Sequence, residues 1–266
     1  IYVSSKQDHV FRRFSMEGEP LKSYLFSVGD IPTVDVAWRY QSFAQFPSSF
    51  EFDIEGNFWA IRGGYHYPDD PTPAGMLRKY DSEGTFLMSV HHELFKGPLE
   101  GLDIHSKTGD LFITNNLKRN VIQLDQKGKL IRYFGDDILK KPSGIAIDEK
   151  RSRIYIADIA QDKIFVFSTD GEYIDSIGKK GHEAGELTFQ TSVGLEVDDC
   201  GLLYIAEPKN RRTSVLSPSG EFKAFLIIDT TPPKRPRDIG VLGSSVYILA
   251  EDIIQEFERI GVDCLR

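Results

Sequence analysis

Asn115, Asp158, Glu207 and Glu251 each close a short apolar run, and Glu100 precedes Gly101 at the head of another. Carboxylates and amides converging from strand ends are the donors calcium wants, since it takes six to eight oxygens. A calcium-dependent hydrolase or lyase could therefore be built on Glu100, Asn115, Asp158 and Glu207. Zinc would instead need several histidines aimed at one point. The six histidines, His9, His66, His91, His92, His105 and His182, are scattered along the chain. The neighbours His91 and His92 would point to opposite sides of a strand and make a poor chelate. No nucleophile elbow, phosphate-cradling loop or dinucleotide fingerprint is present.

A second chemistry is recognition. The stretch 29–46 contains Trp38-Arg39-Tyr40 with Phe43 and Phe46, and 63–75 contains Tyr65-His66-Tyr67 before a proline-rich run. Trp38, Tyr40, Tyr65 and Tyr67 could wall a pocket with Arg39, Arg62 and His66 as its polar contacts. Aromatic walls with a few directed polar groups suit a sugar, a peptide or a partner protein. The plainer alternative is that these rings fill a groove as ordinary core. A third possibility is RNA held by Lys209 to Arg212 and Lys234 to Arg237, which would show steeply salt-dependent affinity.

The elements that must position these groups repeat. Ile1-Tyr2-Val3-Ser4, Phe58-Trp59-Ala60-Ile61, Leu111-Phe112-Ile113-Thr114, Ile154-Tyr155-Ile156-Ala157, Leu203-Tyr204-Ile205-Ala206 and Val246-Tyr247-Ile248-Leu249 recur about every 43 to 57 residues. A repeat of that length built from strands predicts a β-propeller with one copy per blade. In the fourth copy, 142–148 reads as an innermost strand, 153–158 as the second and 163–167 as the third. Ser168-Thr169-Asp170-Gly171 comes next as a hairpin turn, and 172–177 as the outer strand. The fifth copy repeats that grammar from Ser192 to Glu221.

The Gly-x-x-x-Asp strand, the Tyr-Ile-Ala-Asp strand and the linker Ile177 to Phe189 together resemble the NHL repeat family. The resemblance is closest over about residues 98 to 225. It implies an all-β, six-bladed β-propeller of four-stranded antiparallel blades, forming one domain over 1–266. It also implies a non-catalytic binding or scaffolding module without a cofactor, calcium entering only under the enzyme alternative. Pro98-Leu99-Glu100-Gly101 faintly resembles the opening of gluconolactonase-like propellers. Asp158 and Glu207, however, fall where NHL repeats carry a turn-capping Asp, so repetition there predicts scaffold.

Inner strands are expected near Ser48, Leu99, Ser143, Ser192 and Arg237, five against six second strands. The first blade thus lacks its innermost strand within this chain, which reads as a fragment or a propeller whose closing strand lies elsewhere. Hairpin turns and blade-linking loops should fall on opposite faces. The hairpin face collects Glu55, Asp81, Glu83, Asp148, Glu149, Asp170, Glu172, Asp198, Asp199 and Glu221, expected to cap their own turns. The linking face mixes both signs and receives the two aromatic insertions.

The net charge of −8 disfavours a chain built mainly to coat nucleic acid. No apolar run approaches the roughly 18 residues of a membrane span, so membrane insertion is not expected. Two cysteines, Cys200 and Cys264, have no metal-ligand spacing and are expected to be free thiols.

Overall fold

The computed structural model describes residues 2–5, 10–13, 24–25, 48–63, 75–95, 97–251 and 253–259. They form six antiparallel sheets, each of strands consecutive in sequence. Blade one holds β1 (Tyr2–Ser5), β2 (Val10–Arg13) and β3 (Tyr24–Leu25). Blade two holds β4 (Ser49–Phe52), β5 (Phe58–Gly63), β6 (Gly75–Tyr80) and β7 (Phe86–Val90). Blade three holds β8 (Leu99–Ile104), β9 (Leu111–Asn115), β10 (Asn120–Leu124) and β11 (Leu130–Phe134). Blade four holds β12 (Pro142–Asp148), β13 (Arg153–Asp158), β14 (Lys163–Ser168) and β15 (Tyr173–Ile177). Blade five holds β16 (Leu195–Val197), β17 (Leu203–Glu207), β18 (Arg212–Leu216) and β19 (Phe222–Leu226). Blade six holds β20 (Pro236–Leu242), β21 (Ser245–Ala250) and β22 (Ile253–Glu258). Among the described residues the first blade has no inner strand, as the repeat count implied.

The inner strands β4, β8, β12, β16 and β20 succeed one another around the axis, each in contact with the next. Side chains alternate across a strand, and here both sheet faces meet a neighbouring blade. That is why β9, β13 and β17 read as continuous apolar runs. The core lies between blades. Trp59, Leu77, Leu102 and Ile113 pack blade two on three, and Phe112, Phe134, Ile154 and Phe167 pack three on four. Tyr155, Val166, Leu195 and Ile205 pack four on five, and Tyr204, Val215, Ile239 and Ile248 pack five on six.

Near the axis the blades are stitched by single hydrogen bonds. Ser48 Oγ donates to the Leu99 carbonyl at 2.7 Å, and Thr114 Oγ1 donates to the Ser143 carbonyl at 2.5 Å. The Val193 amide donates to Ser143 Oγ at 3.2 Å. The inner strand of blade five starts at Leu195 rather than near Ser192. Glycine makes this approach possible: a Cβ on Gly144 would fall inside the Val193 carbonyl, and one on Gly101 inside that of Ser143. At the outer hairpins Gly171 and Gly220 sit at φ of 86° and 85°, the left-handed conformation their turns require.

Candidate functional site

The two chemistries read from the sequence meet different fates. Trp38, Arg39, Tyr40, Tyr65, His66 and Tyr67 lie outside the described residues. Arg62 lies in β5, paired with Met76 at the end that leads into 64–74. The strand-end oxygens are fully placed, and they serve the scaffold. Asn115 donates to the Leu94 carbonyl at 2.6 Å and accepts from the Lys118 amide at 3.0 Å. Asp158 accepts from the amides of Lys140, Lys141 and Ala160 at 2.6, 3.0 and 3.0 Å. Glu207 accepts from the Thr188 amide at 3.0 Å, Asn210 Nδ2 at 2.6 Å and Arg212 Nε at 3.1 Å, and from the Ser214 hydroxyl. Glu100 accepts from Ser192 Oγ at 3.0 Å. These donors do not fit a calcium cage: their lone pairs hold the linking loops, and Glu100, Asp158 and Glu207 do not converge on one point.

Arg212, read from the sequence as part of a basic patch, is not a surface cation. Its guanidinium is buried, bonded to Glu207 and to the carbonyls of His182 and Glu186, and lies 3.9 Å over the Phe225 ring. Arg211 Nη1 is held by the Pro233 carbonyl at 2.7 Å. The linking face therefore spends part of its positive charge on its own backbone.

What the tertiary structure does assemble is acidic. A cavity of about 290 Å³ opens beside the axis, lined by Asp103, Asp148, Glu149, Glu196, Asp198 and Asp199. The turn aspartates cap hairpins as expected: Asp198 Oδ1 accepts from the amides of Cys200 and Leu202 at 2.9 and 2.8 Å. Asp148 Oδ1 likewise accepts from the Arg151 amide at 3.1 Å, and Asp81 Oδ1 from that of Thr85 at 2.8 Å. Cations close the rim. Arg151 pairs with Asp148 at 2.9 Å, and Arg259 with Asp198 and Asp199 at 3.1 and 2.5 Å. The Arg259 bond holds the Asp199 carboxyl below its ordinary range. Burial, then the neighbouring Asp198, pushes the Tyr204 hydroxyl well up.

Deeper in the channel the inner strands contribute Glu51, Asp103, Glu196 and Asp238. Asp103 bridges blades, its Oδ2 accepting from the Ile147 amide of β12 at 2.7 Å. Burial, then the charge of neighbouring carboxylates, drives Glu51 and Glu196 well above the usual carboxyl range. Sequence reasoning missed these four. The signal was an acid in mid-strand among apolar residues, as in Gly101-Leu102-Asp103-Ile104 and Gly194-Leu195-Glu196-Val197.

The cysteines need correction. Cys200 is disulfide-bonded rather than a free thiol. The other cysteine of the chain, Cys264, lies outside the described residues. Sequence separation hid the reason. β22 ends above the Asp198–Gly201 turn of blade five, where Arg259 Nη2 lies 2.9 Å from Cys200 Sγ. With its sulfur in a disulfide, Cys200 cannot act with Asp198 and Asp199 as a thiolate metal ligand. Cys200→Ser is expected to cost about 2–5 kcal/mol in urea unfolding, and the oxidised wild type to show no thiol reactive towards a disulfide reagent.

A family model described as a 6-bladed beta-propeller matches residues 136–203, which take in all of blade four and the inner strand of blade five. The Drosophila melanogaster protein brain tumor is 29% identical over 76 residues, which are 28% of this chain and 7% of that protein. Virginiamycin B lyase from Staphylococcus aureus superposes with a TM-score of 0.61 at 16% identity, covering 99% of this chain and 81% of that one. The fold is an NHL-like β-propeller. A chain of a nidogen–laminin complex matches with a TM-score of 0.66 at 14% identity, over 97% of this propeller and 88% of that chain. Identities this low establish shared architecture. The stretch matched in brain tumor is a small part of that protein's length.

Proposed function

We propose that this chain is a non-catalytic binding or scaffolding propeller that holds a protein, peptide or carbohydrate partner on its blade-linking face, near the channel mouth. One observation carries the reading. Asn115, Asp158 and Glu207 spend their oxygens on the linking loops and on neighbouring side chains, so the repeated strand ends are scaffold. Specialisation is then left to the irregular stretches. The contact set is Trp38, Arg39, Tyr40, Arg62, Tyr65, His66 and Tyr67, with the rings as anchors and the basic groups as directed contacts. Arg62 supports the placement, because β5 carries it to the end of blade two from which 64–74 departs. The disulfide at Cys200 suits an oxidising compartment. The reading needs no cofactor.

A glycan array and a displayed-peptide library, screened with the wild type, supply the ligand for the test. Trp38→Ala with Tyr67→Ala should weaken binding of the hits at least about tenfold while Tm stays within about 3 °C. Unchanged binding would dismiss the contact set, and a large fall in Tm would show those rings to be core. Stoichiometric calcium in the purified protein would favour the hydrolase or lyase reading instead.

A further inference from the structure

Glu51, Asp103, Glu196 and Asp238 stand on the inner strands of blades two, three, five and six. Glu51, Asp103 and Glu196 hold one register position, opposite Trp59, Phe112 and Tyr204 of the second strands. The repeat therefore aims them at the same axis. Asp238, two residues before the matching position Gly240 on β20, shares their face of its strand. In blade four the matching residue is Ala146, opposite Tyr155, so the ring of acid is broken there.

The charged groups around this ring are themselves committed. Glu51 is faced by Asp103, Glu196 and Asp238, and Glu196 by Asp103, Asp238 and Asp198. Asp103 is faced by Glu149, whose own carboxyl accepts from the Ser106 hydroxyl at 2.8 Å and has His105 Nδ1 at 3.9 Å. The nearby cations are Arg151 on Asp148, Arg259 on Asp198 and Asp199, and Lys150, whose Nζ donates to the Asp199 carbonyl at 2.7 Å. All of these sit at the hairpin-end mouth. Among the described residues no lysine, arginine or histidine forms an ion pair with any of the four ring carboxyls.

We propose that the axial channel is an acid-strengthened clasp, in which carboxyls from four blades are protonated at mildly acidic pH and repel one another, loosening the ring, as pH rises. Glu51, Asp103 and Glu196 are partly enclosed by the inner strands, and Asp238 lies more open at the same axis. Desolvation raises Asp103 to about 7 and Asp238 to about 6, from an ordinary 3.8. A carboxyl whose folded pKa exceeds its unfolded one binds more protons in the native state. Its contribution therefore falls as pH climbs from the unfolded value through the folded one. For Asp103 that window runs from 3.8 to about 7. Asp81, Glu149, Glu186 and Asp199 are shifted the other way, and their stabilisation fades only as pH drops below the ordinary carboxyl range. Between about pH 5 and about pH 8 these groups stay ionised and are silent.

Thermal melts of the oxidised chain at fixed salt test the clasp. The wild type should lose about 5 °C or more of Tm between about pH 5 and about pH 8. Glu196→Gln with Asp238→Asn removes two charges at constant size, and the new amide oxygen can still accept the 3.0 Å bond from the Ile239 amide. This variant should match the wild type at the acid end and melt several degrees higher at the alkaline end. Parallel slopes for the two proteins would overturn the proposal. Carboxyl ¹³C NMR on the wild type gives an answer even if the variant fails to fold. Asp103 and Glu196 titrating above the ordinary carboxyl range supports the clasp, and all four titrating within it rejects it.

Discussion

Glu207→Ala should be the most damaging single change among the polar residues, costing about 3–5 kcal/mol in urea or guanidinium unfolding. The carboxylate is completely buried and binds Arg212, whose side chain is only 10% exposed. Cutting the side chain back leaves a buried guanidinium without its counter-charge, and it orphans the Thr188 amide, the Asn210 amide group and the Ser214 hydroxyl. An unpaired buried group costs more than the bond itself was worth, because water cannot replace the lost partner. Glu207→Gln keeps an acceptor and should cost less. The cycle with Arg212→Ala should show strong coupling, since the two residues share one network. A loss below about 1 kcal/mol for Glu207→Ala would refute the structural role and reopen a functional one for this strand end.

Gly144→Ala should cost about 3 kcal/mol, the upper end of what overpacking usually does. The added methyl would meet the backbone carbonyl of Val193 in the next blade, and a backbone carbonyl cannot turn aside as the far end of a flexible side chain would. Gly240→Ala supplies the control. It lies in the equivalent inner strand of blade six, with nothing within 4 Å of the added atom. There the substitution should be neutral or slightly stabilising, because alanine reduces the freedom of the unfolded chain. Equal effects at the two glycines would mean that the inner strands do not approach as closely as the blade-to-blade bond from Val193 to Ser143 requires.

The second expectation rests on blade-to-blade contact at the axis, and that contact links the scaffold to the channel. The glycines let the inner strands come close enough for Ser48, Thr114 and Ser143 to stitch one blade to the next. The same closeness brings acids from separate blades into one narrow space. Tight closure and carboxyl repulsion are therefore two consequences of one geometry. Asp103 carries both, as it binds the Ile147 amide across the blade boundary while facing Glu149.

The amino-acid sequence determined the repeat and most features that local rules govern. Apolar second strands, the Ser168 to Gly171 and Ser217 to Gly220 hairpins and the Asp148 and Asp198 caps are short-range features, and each was legible from neighbouring residues. Blade four was readable almost residue by residue, and counting five inner strands against six second strands anticipated that blade one shows no inner strand among the described residues. Asp158 and Glu207 were recognisable as scaffold because they recur at one place in successive copies. Three things needed the third dimension. Cys200 is separated by 59 residues from Arg259, whose guanidinium contacts its sulfur. Arg212 looked like a surface base until the linker 182–186 folded its carbonyls over it. The channel acids looked like isolated polar residues on separate strands. Only the ring of blades adds their charges together, because carboxyls far apart in the chain repel strongly only when low-polarity walls and short distances replace bulk water.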